Sequence, residues 1–169
     1  MSGITDSTDS CLQRDSYRIA GLDDEIRADQ LCHELLRRCY LHLVEAHELA
    51  AEEASRLCYG VSYFLCEYLI PEVRISPFDL TAQEVRRFGG HWYIVRNMEP
   101  NLIELTAILE GILAFAAFCR ERELMTGDQV AAIEGACAEL DFYRERIDSF
   151  WAIEKEGYDA WRAACPLKD

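Results

Sequence analysis

The chain has 169 residues, half of them hydrophobic and 11% aromatic, and its 31 acidic and 17 basic residues give a formal net charge of −14. This length and apolar content fit one folded domain and exclude an intrinsically disordered chain. The charge disfavours nucleic acid and anionic membranes as partners. It does not exclude nucleic acid, because residues 55–122 carry eight acidic and seven basic side chains and are almost neutral.

The N-terminal segment differs from the rest of the chain. Residues 1–22 are rich in Ser, Thr and Asp, which predicts a disordered or poorly ordered tail. Residues 23–165 show helical spacing of apolar side chains, which predicts a single all-helical domain.

The first helical region leaves two alternatives open. Apolar residues recur at spacings of three and four, and no Gly or Pro occurs between residue 22 and Gly60. Residues 24–70 therefore form either one long helix kinked near Gly60 or two helices joined near residues 51–55. Pro71 is expected to follow the helix, because proline is not accommodated well in a helix interior.

Capping boxes mark three later helix starts. In each, a residue that can cap a helix is followed three positions later by Glu or Gln; the pairs are Thr81 with Glu84, Asn101 with Glu104 and Thr126 with Gln129. They predict helices from 81 to about 95, 101 to about 123 and 126 to about 156. With no alternating strand-like pattern, the fold class is all-α, a single-domain bundle of five or six helices.

Two features of these helices carry further expectations. Gly89 and Gly90 fall in the middle of a helix, which predicts close packing or a bend there. Residues 102–119 are the most apolar run, but charged residues interrupt it, so we expect a core helix and no membrane span.

The eight cysteines lie mostly among apolar residues, and no pair has the spacing Cys-x-x-Cys. No signal peptide pattern is present at the start of the sequence. We therefore expect a cytoplasmic protein whose cysteines are free and act as small buried side chains.

Residues 59–124 contain the segments Tyr63-Phe-Leu-Cys-Glu-Tyr-Leu69, Leu80-Thr-Ala-Gln-Glu-Val-Arg-Arg-Phe88 and Cys119-Arg-Glu-Arg-Glu-Leu124. This region resembles the SAM-like core-binding domain that precedes the catalytic domain in tyrosine recombinases and phage integrases. The resemblance implies a helical scaffold and, as an alternative function, a nucleic-acid-associated module. It does not imply recombination, because no His-x-x-Arg occurs and only 45 residues follow Leu124.

The densest group of potential metal ligands lies in residues 32–48, and its candidates are Cys32, Cys39, His42 and Glu45. Neither Glu-x-x-His nor His-Glu-x-x-His occurs there. We favour a solvated helix face for the polar members and expect no metal or other cofactor, with a metal-binding helical protein as a weaker alternative.

A second group is a candidate interaction patch, since aromatic and arginine side chains often dominate binding surfaces. It consists of Arg86, Arg87, His91, Trp92 and Arg96. The competing interpretation places Trp92 in the core and the arginines in solvent.

The leading hypothesis is a small, acidic, non-catalytic protein that acts through protein–protein contacts. Because aromatic residues are numerous for a chain of this length, we expect self-association, as a homodimer, and an unidentified protein partner. No motif for phosphate binding or for a catalytic nucleophile is present, so no catalytic residue is predicted.

Overall fold

The computed structural model describes residues 9–167, and all regular secondary structure in this part of the chain is helical. The α-helical segments are α1 (Leu22–Glu45), α2 (Ala51–Tyr63), α3 (Ala82–Arg87), α4 (Tyr93–Arg96), α5 (Leu102–Glu121), α6 (Gly127–Cys137), α7 (Leu140–Trp151) and α8 (Tyr158–Ala163). A π-helix, Phe64–Val73, continues α2, and a second, Phe88–Trp92, joins α3 to α4. The described residues thus form seven continuous helices, so the predicted all-α helical bundle is confirmed. The expected number of five or six is too low, because the predicted last long helix is divided into α6 and α7.

Residues 9–21 belong to the folded domain, which corrects the predicted tail boundary at residue 22. Two short 3₁₀ turns, Ser10–Leu12 and Arg14–Tyr17, pack against α1. Cys11 and Tyr17 are fully buried, and the Tyr17 hydroxyl donates a hydrogen bond to the Cys11 carbonyl oxygen at 2.6 Å. Burial of an aromatic ring compensates the entropy cost of ordering a polar segment. The predicted tail's residues 1–8 lie outside the described residues.

Two helices, α1 and α2, occupy the region for which the sequence left two alternatives. The turn between them spans residues 46–50, a few residues before the expected junction. Glu48 has a φ of 54°, in the left-handed region, and the Leu49 N–H donates to the Leu43 carbonyl oxygen at 3.0 Å. The reversal therefore uses a non-glycine residue in a conformation that usually favours glycine, and no Gly or Pro marks it in the sequence.

Pro71 lies inside the π-helix that extends α2, contrary to the prediction. In an α-helix, the proline ring collides with the carbonyl group four residues earlier. The wider π-helical turn moves that carbonyl away. The segment ends where Arg74, at a φ of 62°, donates its N–H to the Leu69 carbonyl oxygen at 2.9 Å.

The three predicted helix starts are confirmed as N-caps. The side-chain oxygens of Thr81, Asn101 and Thr126 accept hydrogen bonds from backbone N–H groups three residues later, at 3.3, 2.8 and 3.2 Å. The expected single helix over 126–156 is wrong, because α6 and α7 are separate. The break between them lies at Glu139, whose backbone is not helical. Beside it, the Tyr143 hydroxyl donates a hydrogen bond of 2.7 Å to the Ala136 carbonyl oxygen.

Helix α5 is long and apolar enough to cross a membrane by length and composition alone. It packs against α2 and α6, and half of its most apolar window is buried within the protein. Gly60 and Gly111 allow the close contact between α2 and α5. A Cβ atom at Gly60 would lie 3.0 Å from the Ala107 carbonyl oxygen, and one at Gly111 would collide with the Leu57 carbonyl oxygen.

Most of the aromatic residues that motivated the self-association hypothesis pack inside this single chain. Phe64, Phe115 and Phe118 are buried, whereas Tyr59 and Trp151 are exposed. The eight cysteines form no disulfide among the described residues; six are buried, and Cys58 and Cys66 are half-buried.

Candidate functional site

The predicted interaction patch divides into two groups in the structure. Arg86 and Arg96 form ion pairs with Glu139 at 2.7 Å and with Glu72 at 3.1 Å. The other three members line a cavity of about 650 Å³. Among residues 9–167, the lining residues are Tyr68, Arg87, His91, Trp92, Arg162, Cys165 and Leu167.

Both π-helices contribute to this cavity. Tyr68 lies on the segment that extends α2, and His91 and Trp92 lie on the segment between α3 and α4. The two segments pack through aromatic rings, with 5.2 Å between the ring centroids of Tyr68 and Trp92. Since π-helical turns rotate the following side chains relative to an α-helix and occur often at functional sites, their meeting here marks the cavity as a candidate binding site.

Gly89 and Gly90 bring the C-terminal part of the chain against the second π-helix. A Cβ atom at Gly89 would lie 2.9 Å from the Tyr143 ring, and one at Gly90 would lie 2.8 Å from a Leu167 methyl carbon and 2.9 Å from the Phe142 ring. The close packing predicted for this pair is confirmed. It places Leu167, Arg162 and the rest of the C-terminal wall beside His91.

Behind this wall lies Arg146, which is only 8% exposed. Its guanidinium stacks on the Trp161 ring at 4.0 Å, and its Nε donates to the Gly90 carbonyl oxygen at 2.9 Å. Within residues 9–167, no carboxylate forms an ion pair with Arg146, and its Nη2 has no hydrogen-bond partner. A buried guanidinium without a counter-charge is rare and costs free energy.

The pKa of His91 reflects both its burial and the nearby positive charges. Its ring stacks on Trp161 with 5.5 Å between centroids. Burial, followed by the charges of Arg146 and Arg162, lowers the pKa of His91 below its usual value. Arg162 is exposed and forms no ion pair in the described part of the chain. The cavity is therefore a positive region on a strongly acidic protein.

On the opposite wall of the cavity, formed by Tyr68 and Arg87, positive and negative charges are more nearly balanced. Arg87 donates to Glu84 at 3.1 Å, and the Tyr68 hydroxyl donates to the same carboxylate at 2.8 Å. Burial and the Glu84 hydrogen bond raise the pKa of Tyr68. Two buried nitrogens of the lining residues, Nδ1 of His91 and Nε1 of Trp92, have no hydrogen-bond partner among the described residues.

Sequence reasoning missed Tyr68, Arg162, Cys165 and Leu167, which come from distant segments and carry no local motif. The position of Arg146, in contrast, could have been noticed in the sequence. It lies three residues after Tyr143 and one before Ile147, so it falls on the apolar face of α7. An arginine at such a position indicates a functional or structural charge in the core.

The structure does not bring the predicted metal candidates together. Cys32 and Cys39 are buried and form hydrogen bonds with Cys66 and Cys58 across the α1–α2 interface. Among residues 9–167, two groups place three potential ligand atoms within 4.8 Å of one another: Asp29 with His33 and Cys66, and His42 with His47 and Glu121. Neither includes Glu45.

Comparison of the chain with protein-family models, with curated proteins and with solved structures gave no match. The functional assignment consequently rests on the geometry of the cavity.

Proposed function

We propose that this protein binds a small organic anion with an apolar body in the cavity between its two π-helices, without catalysing a reaction. The observation that carries the proposal is Arg146. Within residues 9–167, neither the buried Arg146 guanidinium nor the exposed Arg162 at the cavity wall pairs with a carboxylate, so their positive charges would favour an anion in the cavity.

The cavity's size and lining support an apolar body for this anion. A volume of about 650 Å³ is in the usual range for small-molecule sites, which are lined mainly by apolar and aromatic groups. Trp92, Tyr68 and Leu167 supply such surfaces, and the anionic group would lie on the side of His91 and Arg162. A ligand that reached the unpartnered nitrogens of His91 and Trp92 would also remove the cost of leaving them unsatisfied.

The same lining supports a binding role over a catalytic one. Cys165 and His91 are a potential nucleophile and base, but no hydrogen bond joins them within residues 9–167. Burial, together with the charges of Arg146 and Arg162, also disfavours the imidazolium form of His91, which an ion pair with a thiolate would require.

The proposal is tested by calorimetric titration with 2-naphthoate and with the uncharged 2-naphthamide. We expect naphthoate to bind at least about 10-fold more tightly, equal to about 1.4 kcal/mol. Arg162→Gln should weaken naphthoate binding by a similar factor. Arg144→Gln is the matched control, because Arg144 lies on α7 and pairs with Asp141 at 2.6 Å. Equal affinity for the two compounds, or equal effects of the two substitutions, would contradict the proposal.

A second proposal, self-association, is supported by one surface of the α2–α5 pair. Ile103 is 87% exposed and shares a shallow cavity with Arg56, and Tyr59, one turn after Arg56, is 81% exposed. In sedimentation velocity, Ile103→Glu should shift a dimer toward the monomer. Leu22→Glu, at another exposed apolar residue, should not. A monomer at all concentrations of the unmodified protein would refute self-association.

The likeness of residues 59–124 to SAM-like core-binding domains stays a prediction, and we propose no nucleic-acid function from it. The arginines that could face a nucleic acid are neutralised by carboxylates. They are Arg74 with Glu25, Arg86 with Glu139, Arg87 with Glu84 and Arg96 with Glu72.

A further inference from the structure

His42, His47 and Glu121 converge from three parts of the fold. His42 lies in the last turn of α1, His47 in the turn that follows, and Glu121 is the last residue of α5. The His42 Nε2 atom lies 2.7 Å from one carboxylate oxygen of Glu121, and the His47 Nε2 atom lies 2.9 Å from the other. The two imidazole rings have centroids 5.0 Å apart.

From this geometry we infer a binding site for one divalent transition-metal ion, of which Zn²⁺ is the best match, held by His42, His47 and Glu121. The site shares no residue with the anion cavity and is independent of the proposed function.

The donor set fits the chemistry of zinc. Two imidazoles and one carboxylate are a known ligand combination for Zn²⁺, with a remaining position for water. The three ligand atoms lie within 4.8 Å of one another. Ligands about 2.1 Å from a tetrahedral ion are separated by about 3.4 Å, so small side-chain movements suffice to bind it.

The surroundings favour a cation and hold one ligand in place. Helices α1 and α5 both end here, and the C-terminal end of a helix carries a partial negative charge. The His42 side chain is 13% exposed and packs edge-on against Phe118, with centroids 5.3 Å apart. His47 and Glu121 are about half exposed, so an ion and its water ligand can reach the site from solvent.

The hydrogen bonds among these three side chains can also be replaced by bonds to a metal ion. The Nε2 atoms of His42 and His47 hydrogen-bond the two carboxylate oxygens of Glu121, so the three side chains already face one another. Each imidazole then needs only the tautomer with its proton on Nδ1 to offer the Nε2 lone pair to the ion.

The second convergent group, Asp29 with His33 and Cys66, is a weaker ligand set. The Nδ1 atom of His33 hydrogen-bonds the Asp29 backbone carbonyl oxygen at 2.8 Å, and the Cys66 thiol interacts with Cys32 and with Ser62. It serves as the internal control.

The test uses full-length protein without an affinity tag, freed of metal by a chelator. Calorimetry should show one equivalent of Zn²⁺ bound, and Zn²⁺ should raise the melting temperature. His47→Ala and Glu121→Gln should each weaken Zn²⁺ binding by more than about 10-fold. His33→Ala should leave it unchanged. Circular dichroism of the metal-free variants checks that they are folded.

Co²⁺ identifies the ligands directly. A Co²⁺ spectrum with ligand-field bands, without a thiolate charge-transfer band, would support the assigned site. The absence of saturable one-to-one Zn²⁺ binding would overturn the inference, as would a thiolate band. A loss of binding in His33→Ala that His47→Ala does not share would do the same.

Discussion

At the scale of single residues, His91 is the cavity side chain whose pKa responds to the charges of Arg146 and Arg162. Because burial and the neighbouring Arg146 and Arg162 lower its pKa below the usual 6.5, the unfolded chain binds more protons than the folded chain near that pH. The contribution of His91 to stability is therefore complete above pH 6.5 and is lost as the pH falls below it.

An anion in the cavity should reverse this shift. We expect 2-naphthoate to raise the pKa of His91, since a nearby negative charge favours the imidazolium form. Proton–nitrogen NMR spectra of the imidazole, recorded across pH with and without naphthoate, measure the change. His33, on α1, should keep its pKa and serves as the control. If naphthoate leaves the pKa of His91 unchanged, the anion binds at another place on the protein.

The cysteines differ in accessibility and in thiol acidity. Cys58 and Cys66 are the two half-buried cysteines, and hydrogen bonds from Cys39 and Cys32 lower their pKa values. Burial raises the pKa of Cys119 and raises that of Cys137 to about 12.

These differences predict selective alkylation. Under native conditions, iodoacetamide should modify Cys58 and Cys66 first, because the thiolate is the reactive form and must be accessible. Mass spectrometry of the digested protein identifies the sites, and Cys58→Ser with Cys66→Ser should remove the fast phase. Early modification of Cys119 would show that the α5 core opens easily.

At the scale of elements, two glycines define how closely α2 and α5 approach. A Cβ atom at Gly111 would meet backbone atoms of α2, including the Val61 nitrogen at 2.8 Å. Backbone cannot rotate away as a side chain can, so the helices would have to separate.

We therefore expect Gly111→Ala to destabilise the protein by about 3 kcal/mol. Gly135→Ala is the matched control within α6. It is exposed, a Cβ atom there meets nothing within 4 Å, and alanine should stabilise the helix by about 0.5–1 kcal/mol. Urea unfolding measures both values. A Gly111→Ala protein as stable as the unmodified chain would show that α2 and α5 are not packed through this glycine.

Three capped helix starts were predictable from the sequence, whereas the two breaks before α2 and α7 were not. Thr81, Asn101 and Thr126 cap helices through bonds to residues three positions away, so the signal is local. The turn after α1 and the break before α7 contain neither Gly nor Pro. A contact with another helix accompanies the second break, where Arg86 of α3 donates bidentate hydrogen bonds to Glu139.

At the scale of the whole molecule, the net charge of −14 dominates the electrostatics. Most of the ion pairs in the described residues involve exposed side chains, which contribute little to stability. We therefore expect repulsion between the acidic groups to outweigh them.

Added salt should stabilise the fold for this reason. Raising NaCl from low to moderate concentration should increase the free energy of unfolding by about 1 kcal/mol, or the melting temperature by about 3 °C at this chain length. Differential scanning calorimetry measures the change. Near the isoelectric point of about 4.7, the salt effect should disappear. A lower melting temperature in salt at neutral pH would mean that the ion pairs dominate.

The sequence alone determined the helical class and three capped helix starts, because periodicity and capping act over a few residues. At Gly89 and Gly90 it predicted close packing or a bend, since these residues lack a side chain. Only the tertiary structure decided which arginines form an ion pair and which, like Arg146, have no carboxylate partner within residues 9–167. It also placed Tyr68 and Arg162 on one cavity and His42 within hydrogen-bond distance of Glu121. The members of each pair are far apart in the chain, so their proximity depends on how the helices pack, and packing is set by the whole core at once.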